Sequence, residues 1–422
     1  MQALKGFKDI LPDEAVLWQQ VESTARDVFR RFGFEEIKVP ILEKTALFAR
    51  SIGEATDIVE KEMYTFTDRN GESLTMRPEG TATVLRAFIE HAMHLRRPIN
   101  RLFTVGPMFR HERPQKGRLR QFHQLSVEAV GADSPRLDAE VIAMAHQLLV
   151  ELGLKAELQL NSLGCPECRP GHRQKLVAFL NRHREQLCQD CQRRVESNPL
   201  RVLDCKSANC RQLNAEAPAI LDSLCRPCED HLTLVRRDLE ALEVPYSLNP
   251  FMVRGLDYYT RTTFELLTDA LGAQSAVGAG GRYDGLVRQL GGPDLPGIGF
   301  AMGIERLVLL LQEQNGTPLL GPDLFLACLG EPAADYGFTL LQQCRLAGLS
   351  ALMDVQGRGL KSQMKQADRL NSRFVLIIGD EELAAGQAVL RNLTTKEEHR
   401  VALNDQLGDL LQTMGGVGRA GT

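Results

Sequence analysis

Arg110-His111-Glu112-Arg113-Pro114-Gln115-Lys116-Gly117-Arg118-Leu119-Arg120 joins two apolar stretches, Arg101 to Arg110 and Phe122 to Val130, that read as strands. Two more strands, Met63 to Asp68 and Ser73 to Met76, flank Asn70-Gly71, a strong hairpin signal. Helical spacing marks Val16 to Phe32, stopped by Gly33, then Thr81 to His94 and Asp138 to Leu152. Ala156 to Asn161 is a short strand. Phe34 to Glu43 reads as a strand interrupted by Pro40; proline cannot donate to a ladder, so this strand belongs at an edge or an interface. Strands paired through hairpins and flanked by helices predict an α+β domain with an antiparallel sheet rather than a doubly wound one.

The joining loop is also the chemical clue. It carries five cations in eleven residues, which suits a polyanion. Arg254-Gly255-Leu256-Asp257-Tyr258-Tyr259-Thr260, much further along, adds an arginine, a carboxylate and two phenols. Together they suit a site for a triphosphate at one end and a small polar, ionisable molecule at the other. An arginine on a strand is rigid and makes bidentate phosphate contacts, whereas Arg118 in the loop is free to close over a substrate. Phe122 offers a face on which a purine can stack. Read alone, the same arginines would be a solvated turn, and Glu79 and Thr81 in Arg77-Pro78-Glu79-Gly80-Thr81 would be a first-turn charge and a helix cap. Glu79 also suits an ammonium group.

Composition sets the limits. The chain has 422 residues, 43% hydrophobic and 25% charged, enough for a sizeable core and for two to three domains. A net charge of -4 excludes a generic polyanion binder, so any nucleic-acid affinity comes from local patches. Met1 to Asp13 has no apolar run, and no segment approaches the ~20 apolar residues of a membrane span. A cytoplasmic protein without a membrane contact is expected. Ten cysteines then read as reduced thiols or metal ligands.

Between Cys165 and Cys228 the character changes to basic helical stretches with eight cysteines, which reads as an insertion over about 165–235. They fall as Cys165/Cys168, Cys188/Cys191, Cys205/Cys210 and Cys225/Cys228. Three pairs are Cys-x-x-Cys and one is Cys-x4-Cys, spacing that suits tetrahedral zinc and equally leaves room for unligated thiols. Gly299 to Leu307 is a glycine-rich strand running into an apolar helix, with Glu305 and Arg306 at the junction; close helix-strand packing accounts for the glycines. Gln312 to Pro322 is a linker. Beyond it, strands at Leu324 to Leu329, Ala351 to Val355 and Phe374 to Ile378 alternate with helices at Asp335 to Ala347 and Leu360 to Leu370. That pattern is a small α/β domain, and Cys328 and Cys344 look like residues of its core.

These motifs, in this order, resemble the histidyl-tRNA synthetase family of class II aminoacyl-tRNA synthetases. Gly33-Phe34 to Pro40 with Glu43 resembles the first class II signature, Phe109-Arg110-His111-Glu112 through Phe122 the second, and Gly299 to Leu307 the third. Arg254 to Thr260 and Ala279-Gly280-Gly281-Arg282-Tyr283-Asp284 resemble the two stretches particular to the family. The likeness spans nearly the whole chain. It implies a class II catalytic domain at 1–320 with an inserted helical subdomain, and an α/β anticodon-binding domain at 321–422. It implies histidine, ATP with Mg2+ and histidine tRNA as partners, and a homodimer formed through Phe34 to Leu42.

By the same resemblance, Arg110, Arg254 and Arg306 are the catalytic cations. Arg110, Glu112, Arg118, Phe122 and Arg306 hold ATP, with Glu112 on the adenine and Phe122 stacking. Glu79, Thr81 and Gln124 hold the amino group of histidine, and Glu128 and Tyr259 read its imidazole, with Tyr258 beside them. Arg113 and Gln115 face the acceptor end of the tRNA. No protein ligand set for a catalytic metal is implied, and many family members lack the cysteines, so a metal there would be structural. The alternative is a catalytically inactive, synthetase-like regulatory subunit of histidine biosynthesis. Such a protein typically loses the phosphate-binding residues and the C-terminal domain.

Overall fold

A computed structural model describes the chain except residues 54, 55, 57, 257, 271–275, 317–320, 404–406 and 416–422, and the side chain of residue 315. Contacts divide it into two compact units, Met1–Thr317 and Pro318–Thr422. The first unit begins with α1 (Pro12–Arg31), β1 (Glu35–Glu36), β2 (Leu42–Lys44), α2 (Thr45–Ile52), β3 (Tyr64–Thr67), β4 (Ser73–Met76) and α3 (Thr81–Glu90). It continues with β5 (Asn100–Phe109), β6 (Gln121–Val130), α4 (Pro135–Glu151) and β7 (Glu157–Ser162). Five helices follow: α5 (Cys168–Arg182), α6 (Gln189–Ser197), α7 (Leu200–Leu203), α8 (Ala208–Asn214) and α9 (Arg226–Ala241). The unit closes with β8 (Ser247–Leu248), β9 (Thr260–Leu267), β10 (Ala276–Arg282), α10 (Leu286–Gln289), β11 (Gly297–Gly303) and α11 (Ile304–Asn315).

Local chemistry explains α1. Pro12 opens it, Asp13 and Glu14 sit in its first turn, and Arg30 and Arg31 in its last, each matching the helix dipole. Gly33 then adopts φ +77°, and the N–H groups of Gly33 and Phe34 bond the carbonyls of Arg30 and Phe29. This double bond closes the helix, and it needs the left-handed conformation that glycine enters without strain.

The described strands of the first unit's large sheet run in the order β1-β5-β6-β11-β10-β9-β7-β8. Pairing is antiparallel through the middle and parallel at both edges, where β1 meets β5 and β8 meets β7. Alternation along β6 sorts the faces. Leu125, Val127 and Ala129 join a core with Leu17, Val21 and Phe29 of α1, Ile142 and Leu148 of α4, and Leu307 and Leu311 of α11. Gln124, Ser126 and Glu128 therefore point to the other face. On β11 the same core takes Ile298, Phe300 and Met302, which leaves Gly299, Ala301 and Gly303 beside Glu128, Ser126 and Gln124. One face is thus greasy and covered by helices, and the other is polar, with glycine opposite its two longest side chains.

Phe34 to Glu43 is not one strand. Only Glu35–Glu36 pairs at the edge of the large sheet, while Leu42–Lys44 joins a separate sheet of order β2-β4-β3. Pro40 sits in the gap, where it can supply no ladder donor. The helix expected to reach His94 stops at Glu90, because Ala92 turns left-handed at φ +45°.

In the insertion, Leu176, Leu180, Val195, Val202 and Leu213 form a small core of their own. Leu232, Val235 and Leu239 of α9 instead belong to the main core, so α9 is part of the frame on which the insertion stands.

The second unit holds β12 (Leu324–Cys328), α12 (Glu331–Leu346), β13 (Ala351–Met353), α13 (Leu360–Arg369), β14 (Phe374–Ile378), α14 (Asp380–Ala385), β15 (Gln387–Asn392), β16 (Glu398–Ala402) and α15 (Gly408–Gly415). β13, β12 and β14 are parallel, and β15 and β16 extend the sheet antiparallel. Cys328 and Cys344 are buried in its core.

Candidate active site

The polar face of the large sheet opens into a cleft of about 540 Å3. Glu79, Thr81, Arg110, Glu112, Arg118, Phe122, Gln124, Arg254, Tyr258, Tyr259 and Arg306 all line it. The structure thus brings together residues drawn from four separate stretches of sequence. Asp257 lies outside the described residues.

At one end the cleft is cationic. Arg110 directly follows β5 and is held by a bond from its Nε to the Pro78 carbonyl (2.8 Å), with its guanidinium 5.2 Å from the centre of the Phe122 ring. Glu112 lies 2.8 Å from Arg118 Nε and 3.9 Å from Arg110. Arg306 reaches in from the first turn of α11 and donates to the carbonyls of Gly117 (3.2 Å) and Ala276. Burial first, and then the cations Arg118 and Arg110, pull the Arg306 guanidinium below its ordinary value. A cation in the first turn of a helix also opposes the helix dipole. Three guanidinium groups around one carboxylate make a site that an incoming polyanion relieves. The Arg110–Phe122 stack adds a flat, cationic-edged surface for an aromatic base.

The other end is carboxylate and phenol. Glu79 sits two residues before α3, and its buried carboxylate accepts the N–H groups of Thr81 (2.7 Å) and Ala82 (2.8 Å). Gly80, not Thr81, is the cap position of α3, so the capping oxygen comes from Glu79. Burial raises the Glu79 pKa against these bonds. Glu128 does not itself line the cleft: it is 1% exposed and sits behind Thr81 and Tyr283, which do, its Oε1 accepting the Thr81 hydroxyl and its Oε2 the Tyr283 hydroxyl, each at 2.6 Å. A Cβ on Gly299 would come within 2.2 Å of Glu128 Oε2. The same Cβ would come within 2.2 Å of the Val127 carbonyl oxygen, so the glycine of β11 makes room for both the neighbouring backbone and this carboxylate, a reason different from close helix-strand packing.

Between the two ends stands Arg254, which pairs with Glu265 and lies 5.3 Å over the Tyr259 ring. Burial lowers its pKa, but Tyr259 and Glu265 outweigh that and raise it. Oε1 of Gln124 and Nε of Arg254 are buried with no hydrogen-bond partner among the described residues. Buried polar atoms normally have partners, so these two mark where a polar ligand completes the site.

Burial pushes Glu128 up from 4.5 to about 8, against the bonds from Thr81 and Tyr283. Between those two pH values the folded chain keeps a proton that the unfolded chain has lost, so stability falls as pH rises across that window. Denaturant unfolding at pH 5 and pH 8 checks this. Glu128→Gln, which has no such proton, is expected to show a shallower fall, and an identical fall in both chains would contradict it.

Several contributors are not individually assigned by the sequence reading. Tyr283 lies within the Ala279 to Asp284 stretch and proves to be the second hydroxyl on Glu128. Just before it, fully buried Arg282 bonds Asp138 (2.9 and 3.0 Å), which also accepts from Thr262 (2.6 Å) and faces His231 Nε2 at 2.7 Å. This cluster fixes the end of β10 and hence Tyr283. Glu305 accepts the backbone N–H of His123 (2.9 Å), tying α11 to β6. Arg201, Leu203 and Asp204 of the insertion also line the cleft. Arg113 and Gln115 do not line it; both are exposed on the loop outside, where Gln115 and Arg118 close the turn with paired backbone bonds. The insertion holds two groups of four cysteines that could bind a metal.

Residues 6–307 match the family model of histidyl-tRNA synthetase, and residues 323–413 match that of an anticodon binding domain. A histidine–tRNA ligase of Geobacter sulfurreducens is 56% identical over 404 residues, covering 96% of this chain and 97% of the relative. One of Desulfotalea psychrophila is 58% identical, covering 96% and 94%. The solved apo histidyl-tRNA synthetase of S. aureus superposes with a TM-score of 0.80 at 38% identity, covering 98% of this chain and 99% of that one. A Bacillus halodurans protein described as an ATP phosphoribosyltransferase regulatory subunit/histidyl-tRNA synthetase shares the fold, with a TM-score of 0.65 at 20% identity over 90% and 98%. With one family model spanning most of its length and relatives more than half identical along nearly all of it, the chain belongs to the histidyl-tRNA synthetase family.

Proposed function

We propose that the cleft joins histidine to ATP, releasing pyrophosphate, and then passes the histidyl group from the adenylate to the terminal adenosine of histidine tRNA. The observation that carries this reading is the two-ended cleft: Arg110, Arg118 and Arg306 at one end, Glu79, Thr81 and two tyrosines at the other, with Glu128 behind that wall on the Thr81 and Tyr283 hydroxyls, and Arg254 between. The adenine stacks on Phe122 beside Glu112, and the phosphates run along Arg118 and Arg306. Glu79, Thr81 and Gln124 hold the substrate ammonium, and Glu128, Tyr258 and Tyr259 enclose the ring. An oxygen of the histidine carboxylate attacks the α-phosphorus as the bond to pyrophosphate breaks. Charge grows on the α-phosphate oxygens, and Arg110 and Arg254 stabilise it without a proton transfer. Glu265 and Glu305 line the same cleft and would be the carboxylates to hold an Mg2+ arriving with the nucleotide, which would supply neutralisation of phosphate charge. The cysteine-rich insertion takes structural zinc, outside this chemistry.

The regulatory-subunit alternative is not favoured. The cation cluster is intact, and the second unit matches an anticodon binding domain. In this role the second unit reads the tRNA, while Arg113 and Gln115 meet its acceptor end. A chain ending after residue 317 is expected to keep histidine-dependent pyrophosphate exchange and to lose most tRNA charging, because linked contact regions raise effective concentration. Equal charging of a histidine tRNA transcript by the short and full chains would overturn the assignment.

The protein acts in the cytoplasm as a homodimer. β1 is an edge strand, and Ile41 and Leu42 beyond it are 40% and 44% exposed. Pairing two copies through this segment covers an open edge and its apolar side chains. Light scattering at micromolar concentration should give twice the chain mass; a stable, fully active monomer would exclude it.

A further inference from the structure

The eight cysteines of the insertion fold into two nested sets. Cys165, Cys168, Cys225 and Cys228 form an outer set, and Cys188, Cys191, Cys205 and Cys210 an inner one, with all sulfurs of a set within 4.8 Å of one another. In the outer set, Cys165 Sγ lies 3.6 Å from Cys168 and 3.7 Å from Cys225; in the inner set, Cys188 lies 3.8 Å from Cys205. A tetrahedron with metal–sulfur bonds of about 2.3 Å has edges of about 3.8 Å. None of these cysteines is in a disulfide. Backbone N–H groups point at sulfur in both sets, from Cys225 to Cys168 (3.1 Å) and from Cys188 to Cys210 (3.3 Å). Thiols that merely fill a core would be buried throughout, whereas each set pairs two buried with two half-buried cysteines. Four soft sulfurs in tetrahedral array select zinc or iron over magnesium or calcium.

We propose that the chain binds two zinc ions with different work: the outer ion clasps the two stems of the insertion, and the inner ion fixes a wall of the catalytic cleft. This rests on the zinc reading of the insertion and does not depend on which amino acid the cleft activates. Cys165 follows the end of β7, Cys168 opens α5, and Cys225 and Cys228 open α9, whose far part belongs to the main core. An ion among them ties both stems to the frame. Next to Cys168, Arg169 donates to the carbonyls of Leu163 and Tyr259, so the clasp borders the histidine end of the cleft. The inner set is part of the insertion's own small core, in which Cys191 and Cys210 are fully buried. A core of this size needs a further constraint to hold its shape. Cys205 directly follows Leu203 and Asp204, which line the cleft, and Arg201 on the same turn reaches the Gly255 carbonyl (3.4 Å) beside Arg254.

The test is elemental analysis of the full-length chain purified without added metal. Two zinc ions per chain are expected, and growth in cobalt should give the absorption of tetrahedral cobalt with thiolate charge-transfer bands. No metal, a single zinc, or iron in place of zinc overturns the proposal, and because this count needs no variant it stands even if variants misfold. Cys205→Ser/Cys210→Ser should retain one zinc and lose up to about 100-fold in kcat/KM for histidine and ATP, the scale of a wall displaced by about 1 Å. Loss of one zinc with unchanged kinetics overturns the role of the inner ion. A chain with two zinc ions but no histidine-dependent exchange contradicts the catalytic reading alone, and an active chain without zinc contradicts this proposal alone.

Discussion

Arg110→Ala and Arg306→Ala will each slow adenylate formation by about 100- to 1,000-fold, the cost of losing one donor to charge that develops in a transition state. The loss will fall on the chemical step more than on histidine binding, because both arginines stand at the cationic end, away from Glu128 and Tyr259. Arg110 is preorganised: the Pro78 carbonyl and the Phe122 ring hold its guanidinium before any substrate arrives. Arg306 is half-buried near two other cations and so gains most from a polyanion. Single-turnover adenylate formation, with histidine binding measured separately, distinguishes the two steps. Retained exchange in either variant would show that the triphosphate lies elsewhere.

Glu128→Ala will abolish most activity with histidine by destroying recognition of the ring, with the KM for ATP little changed. A neutral imidazole has one donor and one acceptor nitrogen. In the proposed reading, Glu128 accepts from one and Tyr259 serves the other. A site that leaves its buried polar groups unpaired discriminates by ~10,000-fold or more, and in Glu128→Ala the hydroxyls of Thr81 and Tyr283 both lose their acceptor. Glu128→Gln keeps the shape and one acceptor oxygen, so it separates loss of packing from loss of the carboxylate. An unchanged KM and turnover for histidine in Glu128→Ala would sink this assignment.

Both predictions draw on features legible in the sequence. The even spacing of Gln124 and Glu128 places them on one face of a strand, and the alternate residues Leu125, Val127 and Ala129 prove to be core. The hairpin around the basic loop and the strand-helix alternation of the second unit are equally plain, because hydrophobic period and turn residues agree there. Other elements leave weaker traces. β15 and β16 are rich in polar residues and turn at Lys396, which takes φ +66° without a glycine to announce it. Pro40 hides a change of sheet inside what reads as one strand. The Asp138–Arg282–His231 cluster joins residues from α4, β10 and α9, and one cysteine set is nested inside the other along the chain. No local pattern encodes either grouping, since both arise only when distant segments meet. The role of Gly299 is of the same kind, set by a carboxylate and a backbone carbonyl on the neighbouring strand.

The most direct test of the account is ATP–pyrophosphate exchange by the full-length chain, run with each of the standard amino acids in turn. Exchange that depends on histidine and is negligible with the others is the predicted result. Absence of exchange with histidine, or comparable exchange with another amino acid, would contradict it.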